Sequence, residues 1–107
     1  MAKRLDDPCP VARALNVVGD RWTLLILRDL FRDGPHRFQG FMDSLAGIAP
    51  NTLSARLKAL EADGIVARRF YAEHPPRAEY LLTKKGEKLA PILKALYDWG
   101  RRHAPKG

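Results

Sequence analysis

Apolar residues recur at helical spacing through the first third of the chain. Over Pro10–Val18, Val11, Ala14, Leu15 and Val18 stand three and four residues apart, which predicts a short amphipathic helix. Asp20 precedes Arg21–Phe31, and its carboxylate is placed to cap that segment's first turn. Trp22, Leu25, Ile26 and Leu30 then give the segment one core-facing side. Asp33-Gly34-Pro35 ends it, with Gly34 in the left-handed closing position and Pro35 unable to continue the ladder. His36-Arg37-Phe38 reads as a short extended piece leading into a two-turn helix over Gly40–Leu45. After the tight connection Ala46-Gly47-Ile48-Ala49, Pro50 opens a helix to Asp63, closed by Gly64. Two helices joined by so short a Gly-containing turn predict a helix-turn-helix.

The period changes after Gly64. Ile65–Tyr71 is rich in β-branched and aromatic residues and predicts a strand, Ala72–Pro76 a loop, and Arg77–Leu82 the return strand. Thr83 caps a last helix reaching about His103, with Leu89, Ile92, Leu93, Leu96 and Trp99 along one side and a kink at Pro91. No repeat or linker interrupts this order, so residues 1–107 are expected to form one domain. Its parts are a flexible tail (1–8), two helices (9–32), the helix-turn-helix (37–64), a wing (65–82) and a C-terminal helix (83–103). The fold class is mainly α (α+β), a winged helix-turn-helix with a two-stranded β-wing.

Composition narrows the function. With 46% hydrophobic and 29% charged residues the chain is a foldable globule, and 107 residues are too few for a large enzyme fold such as a (β/α)₈ barrel. The longest wholly apolar run, Leu24–Leu27, is far short of a membrane span, and Met1–Pro10 carries four charges, unlike a secretory signal. A lone cysteine, Cys9, forms no internal disulfide and suits a reducing cytoplasm. His36, His74, His103 and Cys9 lack metal-ligand spacing, and neither a phosphate loop nor a nucleophile elbow is present. The expectation is therefore no metal, no cofactor and no enzyme. Nineteen Lys and Arg against twelve Asp and Glu leave a net charge of +7, and nucleic acid is the first candidate partner.

Charge and geometry point to one surface. Residues 49–85 hold seven basic and four acidic side chains, a net of +3, whereas residues 1–36 carry only +1. At 100° per residue, Leu53, Leu57 and Leu60 share the core side of the helix Pro50–Asp63. Asn51, Ala55, Lys58 and Ala62 lie opposite, with Thr52 and Ser54 on the flanks. Such a small polar face suits a major groove: Asn51 toward adenine, Ser54 and Thr52 toward bases or phosphates, Lys58 toward phosphate. Arg56 stands at the edge of the core face, where a neighbouring carboxylate competes with DNA. His74 and Arg77 flank the wing tip and are candidates for a minor groove. Arg68 and Arg69 point to opposite faces of one strand, so at most one faces DNA, and Lys84 and Lys85 are either phosphate contacts or solvated. The rival reading is a winged helix used only as a protein-interaction module, with its charge incidental.

The sequence also resembles the HxlR group of winged-helix transcription regulators, kin of MarR-type proteins. The resemblance is carried by Cys9-Pro10-Val11, Val18–Arg28, Leu57–Val66, Pro75–Thr83 and Gly86, Leu89, Pro91, Leu93 and Trp99-Gly100. It implies a homodimer on a pseudo-palindromic operator in double-stranded DNA, joined through the terminal helices. Val11, Leu15, Leu93, Leu96 and Trp99 are the candidate contacts, and these apolar faces exceed what one small domain buries alone. It also makes Cys9 a candidate redox switch, and a small-molecule effector or an oxidant the candidate signal. Two positions depart from the group: Ala49 stands where Ser or Thr is usual, and Gln39-Gly40 where Ser-Glu is usual. Ala49 leaves the following helix without a side-chain cap, a loss of about 1 kcal/mol.

Overall fold

Every apolar helix face needs a surface to pack on, and here the common surface is the helix Arg21–Asp33. The computed structural model describes residues 4–74 and 76–106. In chain order its elements are α1 (Pro10–Val18), α2 (Arg21–Asp33), α3 (Phe38–Ser44), α4 (Pro50–Ala62), β1 (Val66–Glu73), β2 (Pro76–Leu82), α5 (Lys84–Glu87) and α6 (Ala90–His103). Helix α2 touches α1, α3, α4, α6 and β2. Its start is fixed by Asp20, whose Oδ1 accepts from the N–H groups of Trp22 (2.8 Å) and Thr23 (3.2 Å). Its end is fixed by Gly34, which closes the helix at φ +81°, a region that L side chains rarely enter.

The core-facing side of α2 differs from the expected stripe. Thr23, Ile26, Leu27, Asp29 and Leu30 are buried, while Trp22 and Leu25 are half-buried at its margin. With five elements packed around it, α2 buries a broad arc turned toward Leu27. Leu53, Leu57 and Leu60 of α4 join Ile26, Leu27 and Phe41 among the best-buried side chains, each worth roughly 1.5–3 kcal/mol.

Helix α3 begins at Phe38, two residues before the expected start, and ends at Ser44. His36 is extended, as expected. It exchanges two backbone bonds with Tyr80 (3.0 and 2.7 Å), adding a one-residue rung beside β2. The antiparallel ribbon β1–β2 is longer than expected, since Ala72, Glu73 and Pro76 belong to strands. Of the expected loop, Pro75 lies outside the described residues. Tyr71 is an extra residue between the pairs Phe70↔Ala78 and Ala72↔Arg77, a bulge.

The expected single C-terminal helix with a kink at Pro91 is two helices. Pro91 has no N–H to donate to Glu87, so the ladder stops after α5 and restarts at Ala90, where a first-turn proline costs nothing. Gly86 presses α5 onto the chain entering β1; a Cβ there would lie 2.2 Å from the Ile65 carbonyl oxygen. Near the other terminus, Leu5 exchanges both main-chain groups with the Asn16 side chain (2.8 and 3.0 Å), so part of the expected tail is pinned to α1. Residues 1–3 lie outside the description. These elements, two helices with a tight turn followed by a β-ribbon and flanked by further helices, make a winged helix-turn-helix.

Candidate nucleic-acid interface

Helix α4 separates its two sides as its spacing requires. Leu53, Leu57 and Leu60 are sealed in the core; Asn51, Ala55, Lys58 and Ala62 are exposed; Thr52 and Ser54 are half-buried between them. Ala49 is the N-cap and offers no side-chain bond, so the first-turn amides of α4 keep their positive end uncapped.

Arg56 takes the alternative role weighed for it. Its Nη1 lies 3.9 Å from Asp20 Oδ2, and its Nε is buried with no partner among the described residues. The guanidinium therefore lies beside the carboxylate at the start of α2.

On the wing, His74 and Arg77 are both exposed, Arg77 across from Ala72. Arg68 reaches Glu61 of α4 at 3.3 Å and Arg69 reaches Glu79 across the ribbon at 3.1 Å, so both of these arginines are answered by carboxylates. Lys85 Nζ bonds the Asp63 carbonyl at 2.7 Å. Among the described residues Lys58, Arg77 and Lys84 form no ion pair. The bulge leaves Phe70 and Tyr71 adjacent and exposed, with the Arg37 guanidinium 4.8 Å from the Tyr71 ring centroid. Arg37 was not a candidate from sequence, because only the fold brings the start of α3 beside the wing.

Electrostatics elsewhere serve the scaffold. Asp29 is fully buried; its Oδ1 accepts from Arg28 (3.1 and 2.9 Å) and Arg32 (3.3 Å), and its Oδ2 has no partner among the described residues. Arg32 also donates to Asp33; that hydrogen bond holds the Asp33 carboxyl below its ordinary value and the Arg32 guanidinium above its own. Burial, with the Glu61 charge behind it, pushes the Tyr80 phenol up. Nothing in the local sequence marked Asp29 as buried. Its signal was positional, 60° from Ile26 on the helix circumference.

The terminal helices present a different surface. Of the dimerisation candidates, Val11 (69%), Leu15 (49%), Leu96 (49%) and Trp99 (62%) are exposed, and Leu93 packs against the core. No residue of α6 is buried. Tyr97 and Ile92 add to this apolar exposure. Cys9 is exposed at the N-cap of α1, where its own N–H donates to Asp7 Oδ1 at 2.8 Å. The described residues bring no three potential metal ligands together, and no described helix is long and apolar enough to cross a membrane.

This fold and this face define the class of winged-helix transcription regulators. The sequence profile of the HxlR-like helix-turn-helix family matches residues 17–107, and the chain belongs to that family. An HTH-type transcriptional regulator of Halalkalibacterium halodurans is 42% identical over 91 residues, covering 85% of this chain and 80% of the relative. The structure described as redox regulator HypR in its reduced form superposes with a TM-score of 0.81 at 38% identity, covering 86% of this chain and 90% of that one. A MarR-family regulator from Porphyromonas gingivalis W83 superposes at 0.83 with 32% identity, covering 95% and 99%.

Proposed function

We propose that this transcription regulator works in the cytoplasm as a homodimer that reads a pseudo-palindromic operator in duplex DNA. The observation that carries the reading is α4: its apolar side is fully sealed, leaving Asn51, Thr52 and Ser54 as short polar side chains at an open N-terminal end. Asn51 pairs with a base edge, Thr52 and Ser54 with bases or phosphates, and Lys58 with a phosphate. His74 and Arg77 of the wing lie in the adjacent minor groove. The partner subunit covers Val11, Leu15, Leu96 and Trp99, whose exposure in one chain motivates the dimer.

The experiment is selection of bound fragments from genomic DNA. One palindromic motif with half-sites about one helical turn apart supports the reading. Recovery of random sequence only defeats it, and salt-insensitive association with duplex favours a protein-interaction module.

The likeness to HypR, described in both reduced and oxidised forms, brings an oxidant response to this reading. Cys9 is exposed, so two Cys9 thiolates of a dimer, or one with a small thiol, lose two electrons to a peroxide and join as a disulfide while the peroxide is reduced to water. Operator binding and non-reducing electrophoresis after mild peroxide, beside Cys9→Ser, test it. Unchanged binding with no crosslinked or adducted species makes Cys9 structural.

A further inference from the structure

Beside α4 lies a basic groove that the DNA-reading residues do not use. Arg21, Trp22, Leu25 and Arg28 stand on one side of α2 and face Ser44 and Gly47 across a trough of about 440 Å³ open to solvent. No carboxylate lines it. The charge of Arg28 is answered in part by buried Asp29, whereas Arg21 forms no ion pair among the described residues and rests 5.3 Å from the Trp22 ring centroid. The groove lies close in the chain to the start of α4. Its far wall, Ser44–Gly47, belongs to the turn that runs into Pro50 at the start of α4, and its near wall begins at Arg21, the first residue of α2.

We propose that this groove seats a backbone phosphate of duplex DNA flanking the stretch read by α4, with Arg21 as the contacting side chain; the inference rests on the DNA-binding reading above. Charge and shape both favour this occupant. A small-molecule site encloses most of its ligand, whereas a strand backbone needs a trough open along its length. A guanidinium held against an indole is pre-oriented, so it loses little freedom when it forks onto phosphate oxygens. Arg21 thereby sets the register of α4 on the duplex without contributing sequence preference.

The test uses the selected duplex and a random duplex, with affinity measured against salt for the wild type, Arg21→Ala, Ala46→Glu and Lys58→Ala. Arg21→Ala is expected to reduce the slope of log K against log salt by about 0.9 and to weaken both duplexes about eightfold at 0.1 M salt. Ala46→Glu, which sets a carboxylate on the exposed turn, weakens both duplexes independently of Arg21. A methylphosphonate at one flanking phosphate weakens the wild type and Lys58→Ala but leaves Arg21→Ala unaffected. If Arg21→Ala keeps wild-type slope and affinity while Lys58→Ala weakens both duplexes, the groove is not a contact and the DNA reading stands. If Arg21→Ala weakens the selected duplex alone, or no methylphosphonate penalty vanishes, the phosphate assignment is overturned. If the wild type shows no salt-dependent binding, both readings fall together.

Discussion

Helices α4 and α6 are 13 and 14 residues long, and each carries an apolar stripe, yet they end in opposite states. Helix α4 lays Leu53, Leu57 and Leu60 wholly into the core and turns a polar face outward; α6 buries no residue and leaves Leu96 and Trp99 open. Amphipathicity alone therefore does not say where a helix finds its apolar partner. For α4 the partner is within the chain, α2 and β1 alike, and what remains outside is a polar face. Among the described residues, Leu93 of α6 packs against the core, and Leu96 and Trp99 of the same stripe stay exposed.

The largest test of this contrast is removal of α6. Truncation after Lys88 is expected to give a monomer or an insoluble chain and to abolish operator binding, read by sedimentation and gel shift. A soluble truncated dimer that still binds would break the comparison outright. Paired point changes sharpen it. Leu57→Ala should cost about 2–5 kcal/mol of stability, the same at every protein concentration. Leu96→Ala should instead raise the dimer dissociation constant read by sedimentation, which Leu57→Ala leaves unchanged. An unchanged dissociation constant in both variants would place the two helices in one category.

Next in size are changes on the outer face of α4. Asn51→Ala should cost on the order of 1–3 kcal/mol on the selected duplex and relax preference at one position, while leaving thermal stability unchanged. Lys58→Ala should weaken every sequence and flatten the salt slope by about one unit. Equal weakening of selected and random DNA by Asn51→Ala would remove its assigned role. Ala49→Ser supplies the missing cap of α4 and should stabilise the fold by about 1 kcal/mol in denaturant titration.

The smallest effect is alkaline. Tyr80 ionises later in the folded chain than in the unfolded one, so its contribution is whole below pH 10 and is lost as pH rises toward the folded value. Tyr80→Phe should remove that part of the decline above pH 10.

Local chemistry was legible in the sequence. Asp20, Gly34, Pro50 and Thr83 act within a few residues of themselves, and the helix ends they set fall within about two residues of expectation. The winged helix-turn-helix followed from their order. What escaped depended on residues far apart in sequence. Pro91 looked like the middle of one helix because the apolar spacing runs on through Leu89; its missing N–H, with Gly86 seated on distant Ile65, ends α5 at Glu87. The bulge at Tyr71 is a property of pairing with β2, not of β1 alone. For the candidate interface, the outer face of α4 was readable from 100° steps, whereas the partners of Arg56, Arg68 and Arg69 come from α2, α4 and β2. Likewise the stripe of α6 was visible, but which of its members the chain itself covers was not.

The Asp20 carboxylate meets two helices at once. One oxygen holds the first turn of α2 and the other faces Arg56, midway along α4. Pro50 lies about 9 Å along the axis from Arg56, at 1.5 Å per residue. A tilt of about 5° around that contact would displace Pro50 by about 0.8 Å. A single carboxylate thus ties the start of the central helix to the middle of α4.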